Sequence, residues 1–471
     1  MKDRLALSRL VVKFRDLPDL PYLPDSQPGR YFLQRHIPEW KTFPDIFPVM
    51  TIKSLFTSLK PGKIRHWMNK AIKSDPGYQP TDLLSYFAID CEPGIGTDKL
   101  LHRLSQCKEI ELAYRETDGY APSANSYKEI ICSVQEYLGP APKGIDAVHA
   151  WRIPGGDGAG KVRFIDIEKG WMLNHEALRV NIFPETGINH HAYAEHGAGI
   201  LGIVMMQPNE TGAIGITPKV KGSVISQYRP DGLLNMADAI MTAIDRLRFG
   251  DVLLLEAQVL DPAGGENLLP VEIQEAVHRV TRLATALGII VVEAGGNGNI
   301  YGNMGTDLDQ FNLDGKKILN PRSTDFKDSG AILVAASSAR IPHERMWFSN
   351  YGQRMNCFAW GEFIMTAGNH PGVSGCAINT YTENFGGSSG AAAIIAGAVI
   401  AVQSILEANH RPRLSPFQMR RILSDDSSGT SSANGKETDK IGVMPDLKRI
   451  IEKTMVMETP VKKRRRRLIE T

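Results

Sequence analysis

A serine set in a glycine turn, directly before an apolar helix, is the residue of this chain best equipped for chemistry: Gly386-Gly387-Ser388-Ser389-Gly390-Ala391-Ala392-Ala393-Ile394-Ile395-Ala396-Gly397. Glycines lift such a hydroxyl out of the turn, and the unpaired N–H groups of the helix start favour an oxyanion developing beside it. By itself the stretch also reads as an ordinary N-cap. Two other stretches supply the remaining parts of a hydrolytic set. Val162-Arg163-Phe164-Ile165-Asp166 is a strand ending in a carboxylate, followed by Glu168 and Gly170. His196-Gly197-Ala198-Gly199-Ile200-Leu201-Gly202 places a histidine at the start of a small-residue helix. A carboxylate that orients an imidazole, an imidazole that deprotonates a hydroxyl, and an acyl-accepting serine are the parts of triad hydrolysis.

The motifs around Asp166, His196 and Ser389, in that chain order, resemble the signatures of the subtilisin-like serine proteases, the subtilases of peptidase family S8. A fourth signature fits as well: Ile289-Ile290-Val291-Val292-Glu293-Ala294-Gly295-Gly296-Asn297 resembles the family strand whose terminal asparagine donates its amide to the tetrahedral oxyanion. The resemblance runs from about residue 140 to 450 and includes the lead-in Ala141-Pro142-Lys143-Gly144-Ile145. It implies a serine endopeptidase with Asp166, His196 and Ser389 as catalytic residues and Asn297 in the oxyanion hole. There are departures. Ala198 and Gly199 stand where the family often has Thr and a second His, Ser388 replaces Thr, and Ala393 replaces Pro. Val252-Leu253-Leu254-Leu255-Glu256-Ala257-Gln258 occupies the place of the strand that lines the primary specificity pocket. Glu256, Ala257, Gln258, Gly295 and Gly296 are therefore candidate substrate-binding residues without an inherited preference. Glu168, Glu256 and Glu293 near strand ends would suit a cleft selective for a basic residue.

The elements that must position these residues alternate between strand and helix: Met236 to Phe249 reads as helix, Asp251 to Val259 as strand, Val271 to Leu287 as helix and Gly288 to Glu293 as strand. Such alternation predicts an α/β fold, a doubly wound, mostly parallel sheet with helices on both faces. Sites in that architecture form at the carboxyl ends of strands. Before it, Leu83 to Ile89, Asp98 to Cys107 and Ile110 to Tyr114 read as strand, helix and strand, a small α+β module. Residues 1 to about 60 are rich in proline and give no clean periodicity, as expected of a wrapping segment. The predicted organisation is a prodomain-like or accessory module over 1–120, a linker and lead-in over 121–145, a peptidase domain over 146–453 and a basic tail over 454–471. Placed before such a domain, the module resembles an intramolecular inhibitor; a permanently attached structural domain is the other reading. The polar segment from Glu116 to Ser126 is the expected linker and processing point.

Composition adds limits. The chain has 471 residues, 42% of them hydrophobic, and a net charge of +2, so nothing in its overall charge points to nucleic acid or membrane partners. Five cysteines are scattered without metal-ligand spacing. His190-His191 lacks the spacing of a zinc site, and no metal is assigned. No cofactor is required; the Asn- and Asp-rich loop from Asn299 to Asp328 is where structural calcium would go, though it lacks EF-hand spacing. The charged N-terminus is not a signal peptide and no long apolar run stands out, so a cytoplasmic protein is expected, with another export route left open. The run Lys462 to Arg467 fits a nuclear import signal, a nucleic-acid contact, a processing site or a solvated end. Two other classes share the fold: a catalytically silent peptide-binding scaffold, and a sedolisin-type acid protease, which would use Glu and Asp in place of histidine.

Overall fold

The computed structural model describes residues 8–15, 50–91, 96–117, 119–120, 135–178, 182–208, 213–262, 264–299, 304–368 and 378–456. The basic run at 462–467 and the linker positions 121–134 lie outside them.

The N-terminal module contains β1 (Ser8–Phe14), β2 (Met50–Ser54), α1 (Pro61–Ser74), β3 (Tyr86–Cys91), α2 (Thr97–Gln106) and β4 (Ile110–Glu116). Its strands pair antiparallel in the order β2-β3-β1-β4. β1 corrects the expectation of a wrapping segment, because it runs through the middle of this sheet. Leu10, Val12 and Phe14 face one way, onto Leu100 and Leu104 of α2, and Val11 faces the other way into the main core. Even Arg9 is buried, ion-paired with Asp90. A strand buried on both faces shows no alternation of polar and apolar residues, so its sequence carries no period-2 signal. On α1 the buried Ile64, Trp67 and Ala71 fall at helical spacing and turn that helix onto the second domain.

From residue 119 the strands are β5 (Gly119–Tyr120), β6 (Arg163–Glu168), β7 (Ile182–Thr186), β8 (Lys221–Ser226), β9 (Val252–Leu255), β10 (Gln258–Leu260), β11 (Asn267–Pro270), β12 (Ile290–Ala294) and β13 (Gly298–Asn299). They continue with β14 (Ile332–Ser337), β15 (Cys357–Trp360), β16 (Ile364–Ala367), β17 (Tyr381–Phe385), β18 (Gly429–Ser431) and β19 (Val443–Pro445). Nine of them form one sheet in the order β18-β19-β15-β14-β12-β9-β6-β8-β7, parallel except at β18. This is the doubly wound, mostly parallel sheet that the alternation predicts, with helices on both faces. The helices that matter for the site are α3 (Ala194–Met205), α4 (Met236–Arg246), α5 (Glu275–Ala286) and α6 (Gly387–Ala408). α3 packs on α6, and α4 packs on α5.

α6 is long and apolar enough to cross a membrane, yet Ser388 through Leu406 are all buried within the domain. A helix apolar on every side is what a position between a sheet and other helices demands. The predicted strand from Asp251 to Val259 is in fact two. β9 pairs in parallel with β6 and β12, and β10 then turns to pair antiparallel with β11. Glu256 and Ala257 make the break, which puts Glu256 at the carboxyl edge of the sheet.

Candidate active site

His196 lies in the first turn of α3, and its Nδ1 is 2.9 Å from Oε1 of Glu168, an ion-pair distance between two largely buried side chains. Glu168 is the last residue of β6, at the carboxyl edge where α3 begins. Its other oxygen, Oε2, accepts the Lys169 backbone N–H at 3.0 Å. Burial would raise this carboxyl, but the charge and contact of His196, with help from Lys169, hold it below the ordinary carboxylate range.

Asp166 does not occupy that place, contrary to the expectation from sequence. Alternation puts Asp166 and Glu168 on the same face of β6, two residues apart, with Asp166 deeper in the sheet. Its Oδ2 accepts the Trp171 indole N–H at 2.6 Å, and its Oδ1 has no donor among the described residues. Burial and the neighbouring Glu168 push it well above the usual range. The signal that could have found Glu168 is the turn behind it. A side chain on Gly170 would come within 2.2 Å of the His190 carbonyl oxygen, so the glycine marks a close approach of two backbones just after Glu168.

Ser389 is fully buried at the third position of α6. Gly387, at φ +80°, opens the helix in a conformation that favours glycine, and Gly390 N–H makes the bond back to the Gly386 carbonyl at 3.3 Å. Ser389 N–H therefore precedes the ladder and lacks an intrahelical acceptor. The Phe385 ring sits 5.6 Å from the His196 ring, and it lies so close to Gly199 that a Cβ there would meet it at 2.4 Å. These small residues let the starts of α3 and α6 approach. Among the described residues neither Ser389 Oγ nor either ring nitrogen of His196 makes an aligned hydrogen bond; Nδ1 has Glu168 Oε1 at ion-pair distance.

Asn297 stands just after β12. Its Oδ1 accepts the Ser388 N–H at 2.8 Å. Because a backbone N–H can only donate, the contact fixes which amide atom is oxygen and leaves Nδ2 as a donor beside the start of α6. Asn297 N–H in turn donates to Gln258 Oε1 at 2.8 Å, and Asn350 Nδ2 holds the Gly295 carbonyl at 2.9 Å. Sequence reasoning missed Asn350, which lies more than fifty residues downstream of the turn it staples. Gly296, at φ +94°, requires its glycine.

Of the candidate substrate-binding residues, Gln258 turns its side chain inward to Asn297. Glu256 is buried with its carboxyl directed at the Ser389 hydroxyl and near Asp166 and Glu168, and it is pushed well above the ordinary range by burial first and those two charges next. Glu293 is also buried; its Oε1 accepts the Glu272 N–H at 2.9 Å, and Glu272 is itself clasped by Arg354 at 2.7 and 2.9 Å. The three glutamates read as an acidic cleft are thus enclosed: Glu168 faces His196, Glu256 faces Ser389, and Glu293 lies against Glu272 and Arg354. The ring of His190 stacks on Tyr228, 5.0 Å away. A further contact was not legible in sequence: β5 pairs antiparallel with β10, Tyr120 opposite Gln258 and Gly119 opposite Val259.

A family model described as the subtilase family, Peptidase_S8, matches residues 167–443. That match covers more than half of the chain; it begins one residue after Asp166 and includes Glu168. Among solved structures, fervidolysin from Fervidobacterium pennivorans, a keratinolytic enzyme related to subtilisin, superposes with a TM-score of 0.52 at 14% identity, over 98% of this chain and 62% of its own. A lanthipeptide protease gives 0.49 at 20% identity over 69% of this chain and 96% of its own. The prenylagaramide maturation protease PagA gives 0.46 at 15% identity over 65% and 97%. None of the curated proteins compared with the sequence matches it.

Proposed function

The chain belongs to the subtilase family and is a serine-type endopeptidase, and on that premise we propose that it cuts peptide bonds with Ser389, His196 and Glu168, the glutamate taking the place of the family's aspartate. The observation that carries this reading is the 2.9 Å approach of Glu168 to His196 Nδ1. A carboxylate there holds the proton on Nδ1, leaves Nε2 as the base toward Ser389, and stabilises the imidazolium that forms. Ser389 Oγ attacks the peptide carbonyl while His196 takes its proton. His196 then passes that proton to the leaving amine, and water, activated by the same imidazole, hydrolyses the acyl-enzyme. Asn297 Nδ2 and Ser389 N–H are the donors to the oxyanion, since Asn297 Oδ1 is already committed to Ser388.

The N-terminal module acts in this reading as an intramolecular inhibitor. An extended peptide can bind by adding a strand to an exposed sheet edge, and here β5 already pairs with β10, which follows directly on Glu256 and Ala257. The module's own chain thus covers a stretch of backbone that a substrate would use.

The test is labelling of the full chain with a fluorescent fluorophosphonate, comparing wild type with Ser389→Ala, before and after limited proteolysis of the module. Wild type alone should label, faster after proteolysis. Equal labelling of both proteins, or of neither, would remove Ser389 from the role of nucleophile.

A further inference from the structure

The mechanism above leaves two carboxyl groups of the site unused, Asp166 and Glu256; Asp166 is bonded to the Trp171 indole, and Glu256 has an unusual setting. It is 1% exposed, and among the described residues neither of its oxygens has a hydrogen-bond partner in place, just as Ser389 Oγ has none. Register explains its neighbours. The last parallel pairs of β6 and β9 include Ile167 opposite Leu255, so the next residues along, Glu168 and Glu256, stand side by side at the edge of the sheet. From β6 it is faced by Asp166 and Glu168, and from the start of α6 by the Ser389 hydroxyl. His196, on α3, is engaged with Glu168. Glu293, on β12, is turned away to Glu272 and Arg354. Three carboxyl groups thus share a dry site with one imidazole. Only Glu168 faces the imidazole, and charges so close do not all persist: burial and mutual repulsion push Asp166 and Glu256 well above the ordinary carboxyl range, while Glu168 is held below it.

We propose that Glu256 is a positioning residue for the nucleophile: its carboxyl and Ser389 Oγ, both buried and without another partner, pair in the working enzyme, Glu256 donating an O–H to Oγ and so directing the serine's own proton toward His196 Nε2. The direction of this hydrogen bond is what matters. A hydroxyl has one proton to give, and a carboxylate can only accept. An ionised Glu256 would draw the Ser389 proton to itself and away from the base. A neutral Glu256 fills a lone pair of Oγ and leaves the proton for the imidazole. Nothing is consumed, since Glu256 keeps its proton through the cycle. The role rests on Ser389 being the nucleophile, and it adds a fourth side chain to the triad and the oxyanion donor.

The experiment measures the rate of fluorophosphonate labelling for the full chain and for Glu256→Gln and Glu256→Leu, with folding checked by circular dichroism. Glutamine offers an N–H in the same place and cannot ionise, so its rate should stay within about threefold of wild type. Leucine fills the space without a donor and should label on the order of 10- to 100-fold more slowly, the scale on which misplaced reacting groups lose rate. Infrared difference spectra at neutral pH supply a readout independent of labelling: a protonated carboxylic acid band should be present in wild type and diminished in Glu256→Gln. A leucine variant that labels at the wild-type rate, or a wild type whose band does not change on substitution by glutamine, would overturn the role of Glu256 and leave the nucleophile intact. Should Leu fail to fold, the glutamine rate and the infrared band decide the matter. No labelling of wild type, even after the module is removed, would overturn the protease mechanism and this proposal together.

Discussion

Substituting Glu168 by glutamine, beside the matched change of Asp166 to asparagine, separates the two carboxyls that the sequence places two residues apart. The Glu168 charge lies 2.9 Å from His196 Nδ1, with both side chains largely buried. At an effective dielectric of about 20, a unit charge pair at that distance is worth about 6 kcal/mol. Glutamine removes the charge, and its amide N–H can present a donor where Nδ1–H needs an acceptor. If the imidazolium formed in the transition state loses most of that stabilisation, kcat falls by about 10⁴, at roughly 1.4 kcal/mol per factor of ten. A loss of the same size accompanies the equivalent change in a chymotrypsin-type triad. Asp166 is different. It is enclosed, bonded to the Trp171 indole and pushed toward its neutral form by burial and Glu168, so asparagine keeps the acceptor at little cost in charge, and the rate should stay within about tenfold of wild type. Pseudo-first-order labelling by the fluorophosphonate measures both without knowledge of the natural substrate. A collapse of labelling in Asp166→Asn with Glu168→Gln unaffected would refute the assignment of Glu168.

Further outcomes follow from other contacts. Asn297→Ala should lower kcat on the order of 10²–10³, the loss known from subtilisin's own oxyanion asparagine, with KM nearly unchanged; equal kcat would take Asn297 out of the oxyanion hole. Prolines at both Gly119 and Tyr120 should strip β5 from β10 and speed labelling of the uncut chain, whereas an unchanged rate would show that β5 does not obstruct the site. Arg354→Met leaves Glu272 buried without its partner and should cost about 3–5 kcal/mol in urea unfolding. The Glu272 carboxyl is held below its ordinary range by Arg354 despite burial, so its contribution is present above the unfolded carboxyl's pKa. That contribution is lost as pH falls through the lower folded value; a variant with the wild type's acid-unfolding profile would contradict it.

Much of this protein is written locally. The glycines at 386 and 387, the small residues of α3 and α6, and the alternation of apolar runs with amphipathic helices are short-range signals, and they were enough for the parallel sheet, for His196 and Ser389 at helix starts and for Asn297 after a strand. β1 was illegible because both its faces are buried, which erases the period of two that marks a half-exposed strand. The strand through Glu256 reads as continuous because apolar runs do not say where one partner ends and the next begins.

The chemical groups, and the elements that carry them, are specified along the chain. Which carboxyl meets the imidazole was decided only by packing. Asp166 and Glu168 share a strand face and the same functional group, and Glu256 comes from nearly ninety residues away, so no local pattern ranks them. The distance from the carboxyl edge of the sheet to the first turn of α3 does. It brings Glu168 to His196, leaves Asp166 beneath Trp171, and turns Glu256 toward Ser389. Proton positions then follow from burial and mutual repulsion, which exist only once the three carboxyls share one dry space.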